Sequence, residues 1–252
     1  MLRGWGGCTH AINRLYQIVA FYTVLTIFGA SCVLWGVVSA VLLVLPRRIG
    51  QPVGQALIMA GFRYIVALMR ASGIMRCNLS ALDGLRDRGP LIIAPNHPTL
   101  LDVMLIASRL PHVVCTAKSA LLNHPLWGTN ARLAGYIPND APFRFVREAV
   151  RQLGQRRQLL IFPEGTRSGN GIGSFKPGFA LVAREANVPI QTVFIESNSR
   201  FLAKGWGFFR MPEFPLIYRV RLGPVLSFAG DRRDFVATME KAYRREVDGG
   251  DR

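Results

Sequence analysis

His97 and Asp102 stand five residues apart in the stretch Asn96-His97-Pro98-Thr99-Leu100-Leu101-Asp102. The stretch follows Leu91-Ile92-Ile93-Ala94, which reads as a buried strand, and precedes the helix-like segment Val103 to Arg109. An imidazole beside a carboxylate at such a junction can take a proton from a hydroxyl while the carboxylate holds the ring. The positive end of the following helix dipole favours a neutral imidazole and an ionised Asp102. The same residues also fit a capping box, Thr99-x-x-Asp102, in which the carboxylate only satisfies backbone N–H groups. Local spacing leaves both readings open.

Three more loops carry unusual residues. Gly135-Tyr136-Ile137-Pro138-Asn139-Asp140 follows a helix that Gly135 ends, and every type in it also suits an ordinary turn. Phe162-Pro163-Glu164-Gly165-Thr166-Arg167-Ser168 comes directly after the apolar run Leu159–Phe162. In an open α/β sheet, ligands bind outside the carboxyl ends of strands, so His97 and Glu164 are expected on one rim. Arg167 with neighbouring backbone N–H groups suits a phosphate; the plainer alternative is a surface turn with a Glu/Arg ion pair. Val188-Pro189-Ile190-Gln191-Thr192-Val193 leads into another buried strand. Between these two, the glycine-rich Ser168 to Gly178 is either a mobile flap over the site or a long turn.

The elements that must position these loops are legible as a pattern. Apolar runs Leu91–Ala94, Val113–Ala117, Leu159–Phe162, Ile190–Ile195 and Leu216–Leu222 read as strands. Helix-like stretches lie between the first four, at Leu100–Arg109, Pro125–Ala134, Phe143–Leu153 and Phe179–Ala186, and a surface-facing helix covers Arg232 to Glu246. Alternation of this kind predicts an α/β class: a mixed, largely parallel sheet flanked by helices. Residues 81–252 form that domain, and residues 1–80 form an amino-terminal membrane-anchoring helical segment.

Composition supports the division. The chain has 252 residues, half of them hydrophobic, and a formal net charge of +16. A charge of that size predicts an anionic partner. The first acidic residue is Asp83; before it stand Arg3, Arg14, Arg47, Arg48, Arg63, Arg70 and Arg76 among long apolar runs. This mixture suits a bilayer with anionic headgroups and not nucleic acid. Leu15 to Leu45 carries no charge over 31 residues, enough either to span a bilayer, which takes roughly 20 residues, or to break near Gly29 or Gly36 into helices lying in one leaflet. It is too long for a signal-peptide core of about 7–15 residues. Residues 51–73 read as an amphipathic helix, with Ile58, Phe62, Ile65 and Met69 on one face and Arg63 and Arg70 on another, suited to the headgroup layer. The downstream excess of cations places the main domain on the cytoplasmic side of a bacterial-type inner membrane. Cys8, Cys32, Cys77 and Cys115 are scattered, which indicates free thiols rather than a disulfide framework or zinc site.

Taken together, the four loops resemble the 1-acylglycerol-3-phosphate acyltransferase family and its wider set of glycerolipid acyltransferases. That family is marked by N-H-x-x-x-x-D, a glycine-containing second block, F-P-E-G-T-R-S and V-P-I; here they stand in the same order at Asn96–Asp102, Gly135–Asp140, Phe162–Ser168 and Val188–Ile190. The resemblance covers roughly Pro90 to Val193 and implies transfer of an acyl chain from acyl-CoA or acyl carrier protein to a hydroxyl of a lyso-lipid. It implies His97 as the base, Asp102 as its orienter and no covalent acyl-enzyme. Glu164, Gly165, Thr166 and Arg167 would hold the acceptor, Arg167 and Lys118 facing phosphate. It implies no metal and no cofactor beyond the acyl donor.

One position departs from the family pattern. Ala141 stands where the second block usually ends in arginine, and Arg144 lies three residues later, out of register. The loss favours asking whether the acceptor is 1-acylglycerol-3-phosphate or a non-phosphate lipid such as a lyso-ornithine lipid. No G-x-S-x-G marks a hydrolase. A non-catalytic, membrane-anchored basic lipid-binding protein is the reading from a different class.

Overall fold

The computed structural model describes residues 5–125, 128–168, 171–207 and 209–248. Two long helices open the chain, α1 at Trp5–Leu42 and α2 at Arg47–Ala71, joined by a turn that ends at Pro46. Then follow β1 (Met75–Asn78), a 3-10 helix (Ser80–Leu85), β2 (Ile92–Pro95), α3 (Leu101–Ala107), β3 (Val113–Ala117), α4 (Ser119–Leu122), α5 (Gly128–Leu133) and β4 (Ile137–Pro138). The second half contributes α6 (Pro142–Gly154), β5 (Gln158–Leu160), α7 (Gly178–Ala186), β6 (Ile190–Ser197), β7 (Leu216–Leu226) and α8 (Arg232–Asp248).

Among the described residues the strands form one sheet in the order β1-β7-β6-β2-β5-β3-β4. All neighbouring pairs are parallel except β6 with β7, as expected of a mixed, largely parallel sheet. The central strands are buried on both faces, which is why they read as continuous apolar runs and not as alternations. One face carries a core built from Ile93, Leu160, Val193 and Leu216 with Leu105 and Ile106 of α3, and with Phe21, Ile65 and Met69 from the first two helices. The other face packs Ile92, Val114 and Leu159 against Ala149, Phe179 and Tyr243 of α6, α7 and α8.

Several local expectations are revised. β1 and β4 are additional strands, and β5 ends at Leu160 and not at Phe162. Helix α1 is continuous through Gly29 and Gly36. The stripe Ile58, Phe62, Ile65 and Met69 packs against the protein core, while Arg63 and Arg70 are exposed. Burying those four side chains against protein removes the same apolar area from water as lipid would, so the amphipathic pattern alone could not separate the two.

Candidate active site

The site begins where β2 runs out. Pro95 has no N–H to extend the ladder, and Asn96 continues it with its side chain: Oδ1 accepts the Ile195 N–H at 2.7 Å and Nδ2 donates to the Ile195 carbonyl at 3.0 Å. That pair of hydrogen bonds to the neighbouring strand fixes the start of the turn. His97 follows, with its ring stacked on Phe162 at 3.8 Å between centroids and 23° between planes. Its Nδ1 lies 2.8 Å from Asp102 Oδ2. No partner holds Nε2 among the described residues, and 11% of the side chain is exposed.

Asp102 is fully buried in the first turn of α3 and gathers three donors. Oδ2 also accepts the Thr99 N–H at 2.8 Å, and Oδ1 accepts the Thr99 hydroxyl at 2.8 Å. Both contacts that the spacing allowed are therefore present, since one carboxylate oxygen meets the Thr99 amide and the imidazole together. The capping box itself is only half formed: the helix is capped at Leu100 without a side-chain bond, and the Thr99 hydroxyl turns to the carboxylate. Burial pushes the Asp102 carboxyl above its ordinary pKa, opposed first by the hydrogen bond from His97 and further by those from Thr99. Behind Thr99, the Tyr218 hydroxyl on β7 lies 3.3 Å from Thr99 Oγ1. Because Thr99 donates to Asp102, Tyr218 is the donor in that contact. Burial raises the Tyr218 phenol to about 12, which keeps it a hydroxyl.

The loop after β5 locks onto the same turn. Glu164 is buried, and each of its oxygens takes a backbone amide: Oε1 the His97 N–H at 3.0 Å and Oε2 the Gly173 N–H at 2.7 Å. A Cβ on Gly173 would stand 2.8 Å from Glu164 Oε2, so that approach needs glycine. Ser168 closes the pair of loops, its N–H and hydroxyl both donating to the His97 carbonyl at 2.9 and 3.2 Å. Gly165 takes a left-handed φ of 68° at the exposed turn it shares with Thr166. Arg167 is half-buried and donates through Nη1 to the Leu202 carbonyl at 2.8 Å. That same carbonyl accepts the Leu100 N–H at 3.2 Å, and Leu202 is held at a φ of 59°, a strained geometry for a residue with a Cβ.

Residues 171–178 are pinned instead of forming a free flap. Lys176 N–H donates to the Pro163 carbonyl at 2.7 Å and Phe175 N–H to Glu240 of α8 at 2.9 Å. Lys118 is exposed at the end of β3. Two strand spacings of roughly 4.8 Å separate β3 from β2, which puts Lys118 about 10 Å along the rim from His97. Asp140 accepts the Ser119 hydroxyl at 2.5 Å and its N–H at 3.0 Å. These bonds and the Lys118 charge hold its carboxyl below the ordinary range, and they tie the second block to the end of β3.

His97, Asp102 and Glu164 thus form one hydrogen-bonded unit, with Gly165, Thr166 and Arg167 on its lip and Lys118 further along. Sequence reasoning missed Phe162 as a stacking partner, Gly173 and Leu202 as backbone anchors, and Tyr218 behind Thr99. Only Phe162 carried a signal, its place in the F-P-E-G-T-R-S block.

Residues 76–196 match a family model described as Acyltransferase. The chain is 32% identical over 133 residues to a 1-acyl-sn-glycerol-3-phosphate acyltransferase of Limnanthes alba, covering 50% of this chain and 47% of that protein. It is 32% identical over 127 residues to that of Helicobacter pylori, covering 47% and 54%, and 28% identical over 200 residues to the human beta form, covering 75% and 69%. The chain therefore spans about half the length of the first two of these relatives. Its fold is similar to that of the solved 1-acyl-sn-glycerophosphate acyltransferase PlsC of Thermotoga maritima, with a TM-score of 0.70 at 21% identity over 95% of this chain and 96% of that one. Residues 76–196 are thus similar to an acyltransferase domain, and the relatives that match over this region are 1-acyl-sn-glycerol-3-phosphate acyltransferases.

Proposed function

We propose that the protein moves a fatty acyl chain from a thioester, acyl-CoA or acyl carrier protein, to a lyso-lipid hydroxyl, with 1-acylglycerol-3-phosphate as acceptor and phosphatidic acid as product. The observation that carries this reading is the 2.8 Å contact from His97 Nδ1 to a buried Asp102, with no partner on Nε2 among the described residues. Ionised Asp102 only accepts hydrogen bonds, so Nδ1 keeps the proton and Nε2 presents its lone pair. Nε2 takes the acceptor's proton as its oxygen attacks the thioester carbonyl carbon. The C–S bond then breaks and the leaving sulfur receives the proton from the imidazolium. Ser168 Oγ donates to the His97 carbonyl and not to its ring, which supports direct transfer without a serine acyl-enzyme.

Glu164 positions the His97 backbone, while Gly165, Thr166, Arg167 and Lys118 line the path of the acceptor. No metal and no cofactor beyond the acyl donor enters this scheme. The apolar amino-terminal helices hold the domain on the cytoplasmic face of an inner membrane with anionic headgroups. Ala141 favours a second acceptor reading, a non-phosphate lipid such as a lyso-ornithine lipid, because no arginine follows Asp140.

The test uses purified full-length protein, one labelled acyl donor and a panel of lyso-lipid acceptors. Turnover of lysophosphatidate above all others supports the first acceptor; preference for an ornithine lipid supports the second. His97→Ala should remain folded, at some cost in unfolding temperature because Asp102 loses its partner, and lose about 10²–10⁴-fold in kcat, the usual worth of general-base help. An undiminished rate would remove His97 from the mechanism.

A further inference from the structure

A second feature lies at the β4 edge of the sheet, away from His97. A groove of about 510 Å³ opens between the α1–α2 turn, α5 and the start of α6. Arg47, Arg132, Arg144 and Arg151 line it, contributed by three separate helices. Arg151 is held by Glu148 at 2.7 Å, and Glu148 is the one carboxylate in the lining. The guanidinium groups of Arg47, Arg132 and Arg144 have no hydrogen-bond or ion-pair partner among the described residues, and the three residues are exposed. The floor is closed: Arg157 beneath it donates to both Gln51 and Gln152. Gly135 is left-handed at a φ of 78°, and a Cβ there would stand 2.7 Å from Gln51 Nε2.

Large apolar side chains are also exposed on the flanking elements. Val44 is 85% exposed and Ile49 55% exposed on the α1–α2 turn and the start of α2, and Phe143, next to Arg144, is 96% exposed. A cationic cavity bordered by unpartnered apolar groups matches a phosphate attached to an acyl-bearing molecule at a bilayer surface. The phosphate of a reacting acceptor does not explain it. From β2 to β4 there are three strand spacings, about 14 Å in all, whereas the reactive hydroxyl and phosphate of a lysophosphatidate are only a few bonds apart.

We propose that this groove binds the phosphate of an anionic bilayer phospholipid that is not the reacting acceptor. The guanidinium forks of Arg132 and Arg144 grip the phosphate oxygens, and Val44, Ile49 and Phe143 dip into the acyl layer beside it. Such a site fixes the depth and tilt of the domain on an anionic membrane.

Binding can be read without turnover. Full-length protein in a neutral detergent is titrated with short-chain phosphatidylglycerol or phosphatidylcholine, with bound lipid followed by native mass spectrometry and by the shift in unfolding temperature. The natural chain should prefer phosphatidylglycerol. Arg132→Gln/Arg144→Gln should bind it about ten-fold more weakly, while Arg232→Gln/Arg233→Gln on α8, an equal loss of charge elsewhere, should bind as the natural chain does. In neutral micelles, kcat and both KM values should be unchanged in the groove variant. Equal phosphatidylglycerol affinity in the groove variant overturns the proposal. So does competition by inorganic phosphate alone, or a raised KM for the acyl donor or the acceptor, which would make the groove a substrate subsite. Arg144→Lys, which keeps the charge and loses the fork, should fall between the two variants.

Discussion

Asp102 serves a structural and a chemical partner with one carboxylate oxygen, and the two demands differ in their consequences for stability. Its burial raises the carboxyl pKa above the ordinary 3.8. A group whose folded pKa lies above its unfolded one contributes stability that is fully present below the unfolded value and is lost as pH rises through the folded value. An ionised carboxylate at this position is therefore a cost to the fold; in the proposed mechanism it is the acceptor-only neighbour of His97. Asparagine at 102 keeps a carbonyl for the Thr99 N–H but puts an amide donor in the carboxylate's place, which disfavours the Nδ1–H tautomer. Asp102→Asn is expected to unfold at higher temperature than the natural chain near pH 7. That advantage should shrink as pH is lowered towards about 4, while kcat drops about 10²–10⁴-fold. Thermal unfolding across that pH range, alongside turnover, checks both halves; an unchanged rate would end the role given to Asp102. The pair was readable from spacing alone, as was its alternative. The Tyr218 contact was not, because it lies 119 residues away on a strand with no unusual local composition.

At the scale of elements, the long apolar runs were legible because strands buried on both faces leave a continuous signature. β1 and β4 were not: β1 is four residues with one buried, and β4 is two residues long, so their pairing depends on partners far along the chain. The docking of α2 was equally hidden. Gly54 passes the last turn of α5 so closely that a Cβ would come within 2.6 Å of the Ala134 nitrogen and 2.7 Å of the Leu133 carbonyl carbon. Gln55 Nε2 then donates to the Ala134 carbonyl at 3.0 Å. Backbone atoms cannot swing aside as a side chain can. Gly54→Ala should therefore be destabilising, with about 1–3 kcal/mol of overpacking outweighing the roughly 0.5–1 kcal/mol that alanine gains in a helix interior. A Cβ on Gly61 of the same helix would meet only the Trp35 side chain, at 4.0 Å, so Gly61→Ala should be neutral or stabilising. Denaturant midpoints for the two variants should move in opposite directions or leave Gly61→Ala in place; equal destabilisation would show that α2 packing is not what Gly54 protects.

At the scale of the whole molecule, the two opening helices are each long and apolar enough to cross a membrane, yet their attachments argue for lying in one leaflet. Tyr16 donates to the Ser72 carbonyl at 2.9 Å, Tyr22 to the Phe209 carbonyl at 3.2 Å, and Ser39 to Asn130 at 2.6 Å. Between Tyr16 and Ser39, at 1.5 Å per residue, about 35 Å of α1 is fastened to the rest of the fold. A spanning helix needs about 20 residues clear of polar neighbours, and α1 has no such stretch between those attachments. Its outward face is apolar, with Leu15, Val19, Leu34, Val37 and Val41 each more than half exposed, which suits acyl chains along its length. Tyr16 also sits beside Ser72, a few residues before β1, so the one-leaflet arrangement puts the start of α1 on the same side as the sheet. In a chain whose native cysteines are replaced by serine, Arg14→Cys and Lys241→Cys should react with a membrane-impermeant thiol reagent in inside-out vesicles, and both should be silent in right-side-out ones. If Arg14→Cys reacts only from the opposite face, α1 crosses the bilayer and its packing against the domain must come apart in the membrane.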